Sequence, residues 1–158
     1  GTVRDNLVMA KPGATDDEVR SALAAVDALD WVVALPSDLD TMVGTGGHPV
    51  PPAQAQQLAL ARLVLADPAV AVLDEATAEA GSAGARALEE SAYAATAGRT
   101  VLIVAHRLTQ AAAADRLVVL EHGAIVEQGR HADLVAAGGR YARLWSAWES
   151  RTPLRSTP

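Results

Sequence analysis

The run Ala69 to Leu73 is apolar or small throughout and ends in adjacent carboxylates, Asp74 and Glu75. A second apolar run, Val101 to Ala105, ends in a lone His106. Short β-branched runs of this kind have the pattern of buried parallel strands, and acids at the C-terminal end of one put charge at a sheet edge. In open α/β sheets that edge is where ligands bind. Between the runs, Gly81 to Ala97 is rich in alanine, carries Glu89 and Glu90 and meets Gly98, so it reads as a helix with a glycine stop. The spacing predicts a strand, helix, strand unit with Thr100 to Val104 as its second buried strand.

The flanks continue the α/β pattern. Thr15 to Glu18 has capping-box spacing, and Val19, Leu23, Val26 and Leu29 recur at helical intervals. Trp31 to Leu39 keeps apolar positions, and Thr41 to Pro52 is a loop dense in Gly and Pro. Ala53 to Ala66 is built of helix formers, with Leu58, Leu60, Ala61, Leu63 and Leu65 as the apolar surface and Asp67-Pro68 as the stop. Arg116 to Leu120 and Ala124 to Val126 read as short strands about the turn Glu121-His122-Gly123. Helices follow near Ala132 to Ala137 and Tyr141 to Trp148, and residues 149–158 read as a flexible tail.

Charge and composition narrow the function classes. Half of the 158 residues are hydrophobic, enough for a sizeable core. Thirteen basic against nineteen acidic residues give a net charge of −6 without a basic stripe, which disfavours holding nucleic acid by its phosphates. The chain has no cysteine, hence neither a disulfide framework nor a thiolate metal site. Its longest apolar stretch, Leu58 to Leu73, is broken by Arg62, Asp67 and Pro68, short of the roughly 20 residues a membrane span needs. A start at Gly1 in mid-pattern, without an initiator methionine or signal peptide, leads us to expect a longer parent.

In this order, the motifs resemble the nucleotide-binding domain of ATP-binding cassette (ABC) transporters, over Gly1 to about Trp148. Val70-Ala71-Val72-Leu73-Asp74-Glu75 is similar to the family's Walker B motif and catalytic glutamate, and Ile103-Val104-Ala105-His106 to its H-loop. Thr41 to Gly47 resembles the loop that exporter-type cassettes carry before their signature, and Gln54 to Arg62 the signature's helix. Gly129-Arg130-His131 with Asp133-Leu134 and Tyr141 resembles the end of the domain. The implied fold is a P-loop NTPase-like ABC ATPase fold, incomplete. A helical subdomain with the signature helix would occupy about residues 1–66, and a core with Walker B, D-loop and H-loop about 67–148.

The resemblance implies ATP and Mg²⁺ as cofactors. Asp74 would hold the hydrated metal, Glu75 would orient or deprotonate the attacking water, and His106 would hydrogen-bond the γ-phosphate and that water. Taken singly, an acidic pair also caps the helix after a strand, and an isolated histidine is commonly a turn residue. Joint spacing, with Ala76-Thr77 following, favours function. The geometric expectation is that Glu75 and His106 end neighbouring parallel strands and converge. Trp31, Trp145 and Trp148 read as packing residues, and His48, His122 and His131 lack ligand spacing.

Departures from the family matter equally. No G-x-x-x-x-G-K-[ST] phosphate loop occurs, and the family's Q-loop glutamine would lie upstream of Gly1, so as an isolated polypeptide the chain is expected to bind ATP poorly. Where the family has Leu-Ser-Gly-Gly-Gln, which binds the γ-phosphate of a partner's ATP, stand Val50-Pro51-Pro52-Ala53-Gln54. Two prolines remove amide donors and a hydroxyl there, although proline is also favoured at a helix start. At the D-loop position, usually Ser-Ala-Leu-Asp, stand Ala78-Glu79-Ala80-Gly81. The implied partners are a transmembrane domain, reached through Thr41 to Gly47, and an unlike second nucleotide-binding domain at the cytoplasmic face of a membrane. A non-catalytic pseudo-subunit that only binds a partner is the alternative. A DNA-repair or translation cassette is disfavoured by the acidic balance.

Overall fold

The computed structural model of the chain describes residues 1–74, 82–105 and 107–151. Packing divides it into two compact units, Gly1–Val104 and Ala105–Pro158.

The first unit is mainly helical. Helix α1 (Val3–Val8) starts at a capping box in which the Thr2 hydroxyl accepts from the Asp5 N–H at 3.0 Å while the Asp5 carboxylate accepts from the Thr2 N–H at 2.9 Å. Helix α2 (Asp16–Ala25) starts at the box expected from the sequence: Thr15 Oγ1 accepts from the Glu18 N–H at 3.3 Å, and Glu18 accepts from the Thr15 N–H at 2.8 Å. Lys11 holds the same carboxylate at 2.6 Å, and its hydrogen bond, followed by that from Thr15, pulls the Glu18 pKa from 4.5 down to about 2. Helix α3 (Leu29–Val33) and a 3₁₀ turn, Asp38–Asp40, lead to the long α4 (Pro52–Ala66). Asp67, left-handed at φ 45°, ends α4 where the Asp67-Pro68 stop was read.

Val19 and Leu23 of α2, Val3 and Leu7 of α1, and Leu58, Ala61 and Leu65 of α4 form one core with Leu88, Ala92 and Ala95 of α5 (Ser82–Thr96). Polar groups fasten its corners. The Gln57 amide on α4 donates to the carbonyls of Val26 and Asp27 at 3.1 and 3.0 Å and accepts from the Trp31 indole at 3.0 Å. The buried Ser91 hydroxyl on α5 donates to the same Val26 carbonyl at 2.8 Å. The chain reversal between α2 and α3 is therefore satisfied by two other helices.

Strands β1 (Val70–Asp74) and β2 (Thr100–Val104) pair in parallel, Val70 opposite Thr100 through Asp74 opposite Val104, with α5 as the crossover. Gly98, at φ 74°, follows α5 as its stop. The strands are not buried on both faces as expected. Ala71 and Leu73 sit in the interior, but Val70, Val72, Leu102 and Val104 are 60%, 64%, 61% and 48% exposed. Among the described residues, helices pack against the face of Ala71 and Leu73.

In the second unit, α6 (Leu108–Ala112) precedes the antiparallel hairpin β3 (Leu117–Glu121) and β4 (Ala124–Gly129). His122 and Gly123, at φ 49° and 79°, turn it in the left-handed pair that suits a two-residue hairpin loop. Helices α7 (His131–Ala136) and α8 (Arg140–Arg151) follow, so α8 continues past Glu149, where the tail was expected to begin; 152–158 lie outside the described residues. Leu117, Leu134 and Tyr141 form the unit's core, with Trp145 against it and Trp148 against Trp145 at 5.0 Å between centroids. The Glu127 carboxylate accepts from the N–H groups of Tyr141 and Arg140 at 2.9 and 2.5 Å, which holds its pKa below the usual carboxylate value.

Replacing Gln57 by Leu strands the Trp31 indole N–H and the Asp27 carbonyl, while Val26 keeps its bond from Ser91, and denaturant unfolding should show a loss of about 1–3 kcal/mol; no loss would contradict the network. Because the folded Glu18 pKa lies below its unfolded value, its contribution is complete above about 4.5 and disappears as pH falls through about 2. The unfolding midpoint of Glu18→Gln should therefore trail the wild type near pH 7 and converge with it near about pH 2.

Candidate functional site

Parallel pairing puts the C-terminal ends of β1 and β2 at the same sheet edge. Asp74 is the last residue of β1 and faces its register partner Val104, the last of β2. Alternation along β1 assigns Asp74 to the face of Val70 and Val72, the one no helix covers. Its exposed side chain makes no hydrogen bond or ion pair among the described residues. An accessible carboxylate is a hard oxygen donor of the kind Mg²⁺ takes singly or in pairs while keeping waters and phosphate oxygens, so the donor fits that ion.

The two predicted catalytic residues are not among the described ones. Glu75 directly follows Asp74 in the sequence, and His106 comes shortly after Val104. Glu75 and His106 lie outside the described residues, as do Ala78, Glu79, Ala80 and Gly81. What the structure contributes at this site is the shared edge and Asp74.

The segment in the signature position begins α4. Pro51 is its N-cap residue, extended at φ −57° and ψ 152° and without a side-chain cap bond, and Pro52 is the first helical residue. Val50, Ala53 and Gln54 are half-buried beside these exposed prolines. Proline's preset φ suits this place, and its missing N–H leaves fewer free amides at the helix end for an anion.

The loop 41–47 proves more ordered than its glycines suggest. Thr41 is buried, and its hydroxyl accepts from the Ser37 N–H at 3.0 Å. The Val3 N–H donates to the Thr41 carbonyl at 3.1 Å and the Val43 N–H to the Gly1 carbonyl at 3.0 Å, an antiparallel bridge of Thr2 with Met42. On the other side the His48 N–H donates to the Met42 carbonyl at 2.7 Å. A Cβ at Gly47 would lie 2.5 Å from that carbonyl oxygen, so this close approach requires glycine. Sequence reasoning missed this pairing, since nothing local marks residues 1–3 as the loop's partner.

Comparison with known proteins adds relatives in one class. No family model matches the chain. It is 46% identical over 147 residues to a multidrug efflux ATP-binding/permease protein of Mycobacterium bovis (strain BCG / Pasteur 1173P2), covering 93% of the chain and 12% of the relative. It is 41% identical over 145 residues to a mycobactin import ATP-binding/permease protein of Mycobacterium tuberculosis (strain ATCC 25618 / H37Rv), covering 92% and 17%. Among solved structures, a bacterial Atm1-family ABC exporter with ATP bound matches with a TM-score of 0.81 and 30% identity over 99% of the chain and 27% of that protein. The chain thus spans a small fraction of the length of the proteins it matches.

Pro52→Gly should destabilise the fold by about 1 kcal/mol in denaturant unfolding, because it removes a preset φ and frees the unfolded chain. An unchanged midpoint would mean that α4 gains nothing from starting at Pro52.

Proposed function

The chain belongs to the nucleotide-binding domains of ABC exporters, and from that membership we propose that it contributes Walker B, catalytic-glutamate and H-loop positions to an ATPase that drives transport across a membrane. The observation that carries this reading is the parallel β1–β2 pair with Asp74 at its edge. In the complete domain, Asp74 would hold the hydrated Mg²⁺ of ATP, which would supply charge neutralisation at the phosphates. Glu75 would orient or deprotonate the attacking water, and His106 would hydrogen-bond the γ-phosphate and that water. Residues 1–66 act as the helical subdomain and 67–148 as core. Further strands of the same domain cover the bare apolar face of Val70, Val72, Leu102 and Val104.

The loop 41–47 meets a transmembrane domain at the cytoplasmic face of the membrane. No helix among the described residues is long and apolar enough to cross one itself. The segment 50–54 faces a second, unlike nucleotide-binding domain, whose ATP it grips weakly. Losing two charge-assisted hydrogen bonds of about 1.5–3 kcal/mol each weakens that site roughly a hundredfold or more. Direction of transport belongs to the membrane portion: relatives named for efflux and for import match this chain at 46% and 41% identity. The alternative, a subunit that only binds partners, draws on the two prolines in the signature position.

Calorimetry on this polypeptide alone should detect no saturable micromolar ATP binding; such binding would refute the incomplete-pocket reading. In the complete protein, Glu75→Gln should abolish most ATP turnover, whereas Pro51→Ser with Pro52→Gly should change it much less. Equal effects would count against the unlike-site arrangement, and undiminished turnover in Glu75→Gln would favour the partner-only alternative.

A further inference from the structure

Charged side chains crowd the base of the loop 41–47. Arg4, on α1, donates from Nε to Asp40 at 3.0 Å and from Nη1 to Asp16 in the first turn of α2. Arg20 of α2 pairs with Asp38. Asp40 precedes buried Thr41, and the Thr41 N–H donates to the Asp38 carbonyl at 3.1 Å. Arg4 thus ties α1, α2 and the 3₁₀ turn together immediately beside the bridge between residues 1–3 and 41–43.

We propose that Arg4 is a positioning residue for the loop 41–47, locking residues 1–3 against residues 41–43 so that the loop and the start of α1 move as one body. The energetic argument favours positioning over bulk stability. Arg4, Asp16 and Asp40 side chains are 31%, 56% and 68% exposed, and such pairs contribute little to global folding free energy. A guanidinium offers donors in a fixed fork, so one ordered side chain orients two carboxylates from different elements. Arg4 is not part of the apolar core of α1, α2 and α4, so removing it leaves that core in place and releases the two carboxylates beside the loop's base, which then rests on its backbone hydrogen bonds.

The consequence for function rests on the loop's docking to a transmembrane partner. In a rigid base, a displacement at residues 1–3 reaches exposed Met42 through the Val3–Thr41 and Val43–Gly1 hydrogen bonds. With Arg4 removed, the loop bends at that base and the transmitted displacement is lost.

The test uses the complete membrane protein with Arg4→Ala, Arg4→Lys and wild type. The readouts are basal ATPase rate, the ratio of transport-substrate-stimulated to basal rate, and cross-linking from Thr45→Cys, an exposed loop position outside the left-handed region. Arg4→Ala should keep the basal rate while lowering the stimulation ratio and the cross-linking yield, each by roughly fivefold, the scale of one surface pair. Arg4→Lys should recover part of both, since a point charge reaches one carboxylate at a time. A proportional fall in both rates with unchanged cross-linking, or no change in either readout, overturns the positioning role. Absence of cross-links from Thr45→Cys to the membrane domain in otherwise wild-type protein overturns the docking reading instead.

Discussion

The parallel pairing of β1 with β2 is the constraint from which the rest of the first unit follows. Parallel neighbours cannot be joined by a tight turn, so the chain between them has to cross over, and α5 does so. The crossover brings Leu88, Ala92 and Ala95 into the same core as Leu73, and through that core to α2 and α4. The same pairing brings the two C-terminal strand ends to one edge and leaves the opposite face of the sheet apolar and open. An exposed aliphatic face is a poor surface to leave in water, and strands in that position suit a larger sheet.

Much of this was legible in the chain itself. The Thr15–Glu18 box, the Asp67-Pro68 stop, the glycine at 98 and the left-handed turn at His122 and Gly123 are local signals, and each appears where its chemistry places it. What escaped is either short or non-local. Helices α1, α3 and α6 have six, five and five residues, too few for a periodicity to declare itself, and the α1 box ends in Asp5 instead of the usual Glu or Gln. The bridge of Thr2 to Met42 depends on tertiary packing. Burial of β1 and β2 was overestimated because a continuous apolar run reports what a strand can bury, while exposure depends on what lies over it. For the candidate site, the shared strand edge ending in Asp74 was legible from the two apolar runs, whereas the expected convergence of Glu75 and His106 falls outside the described residues.

The site and the signature segment pull in different directions. Asp74 has the accessibility and donor chemistry of a metal-holding carboxylate, whereas Pro51 and Pro52 give α4 a stable start at the expense of anion-binding amides. Relatives named for efflux and for import match this same stretch at 46% and 41% identity.

The most direct measurement is an electron paramagnetic resonance titration of Mn²⁺, in place of Mg²⁺, into the complete protein saturated with ATP, comparing wild type with Asp74→Asn. If the β1 edge serves the nucleotide's metal, the substitution weakens Mn²⁺ binding by roughly tenfold or more. Identical affinity in the two proteins would contradict the account.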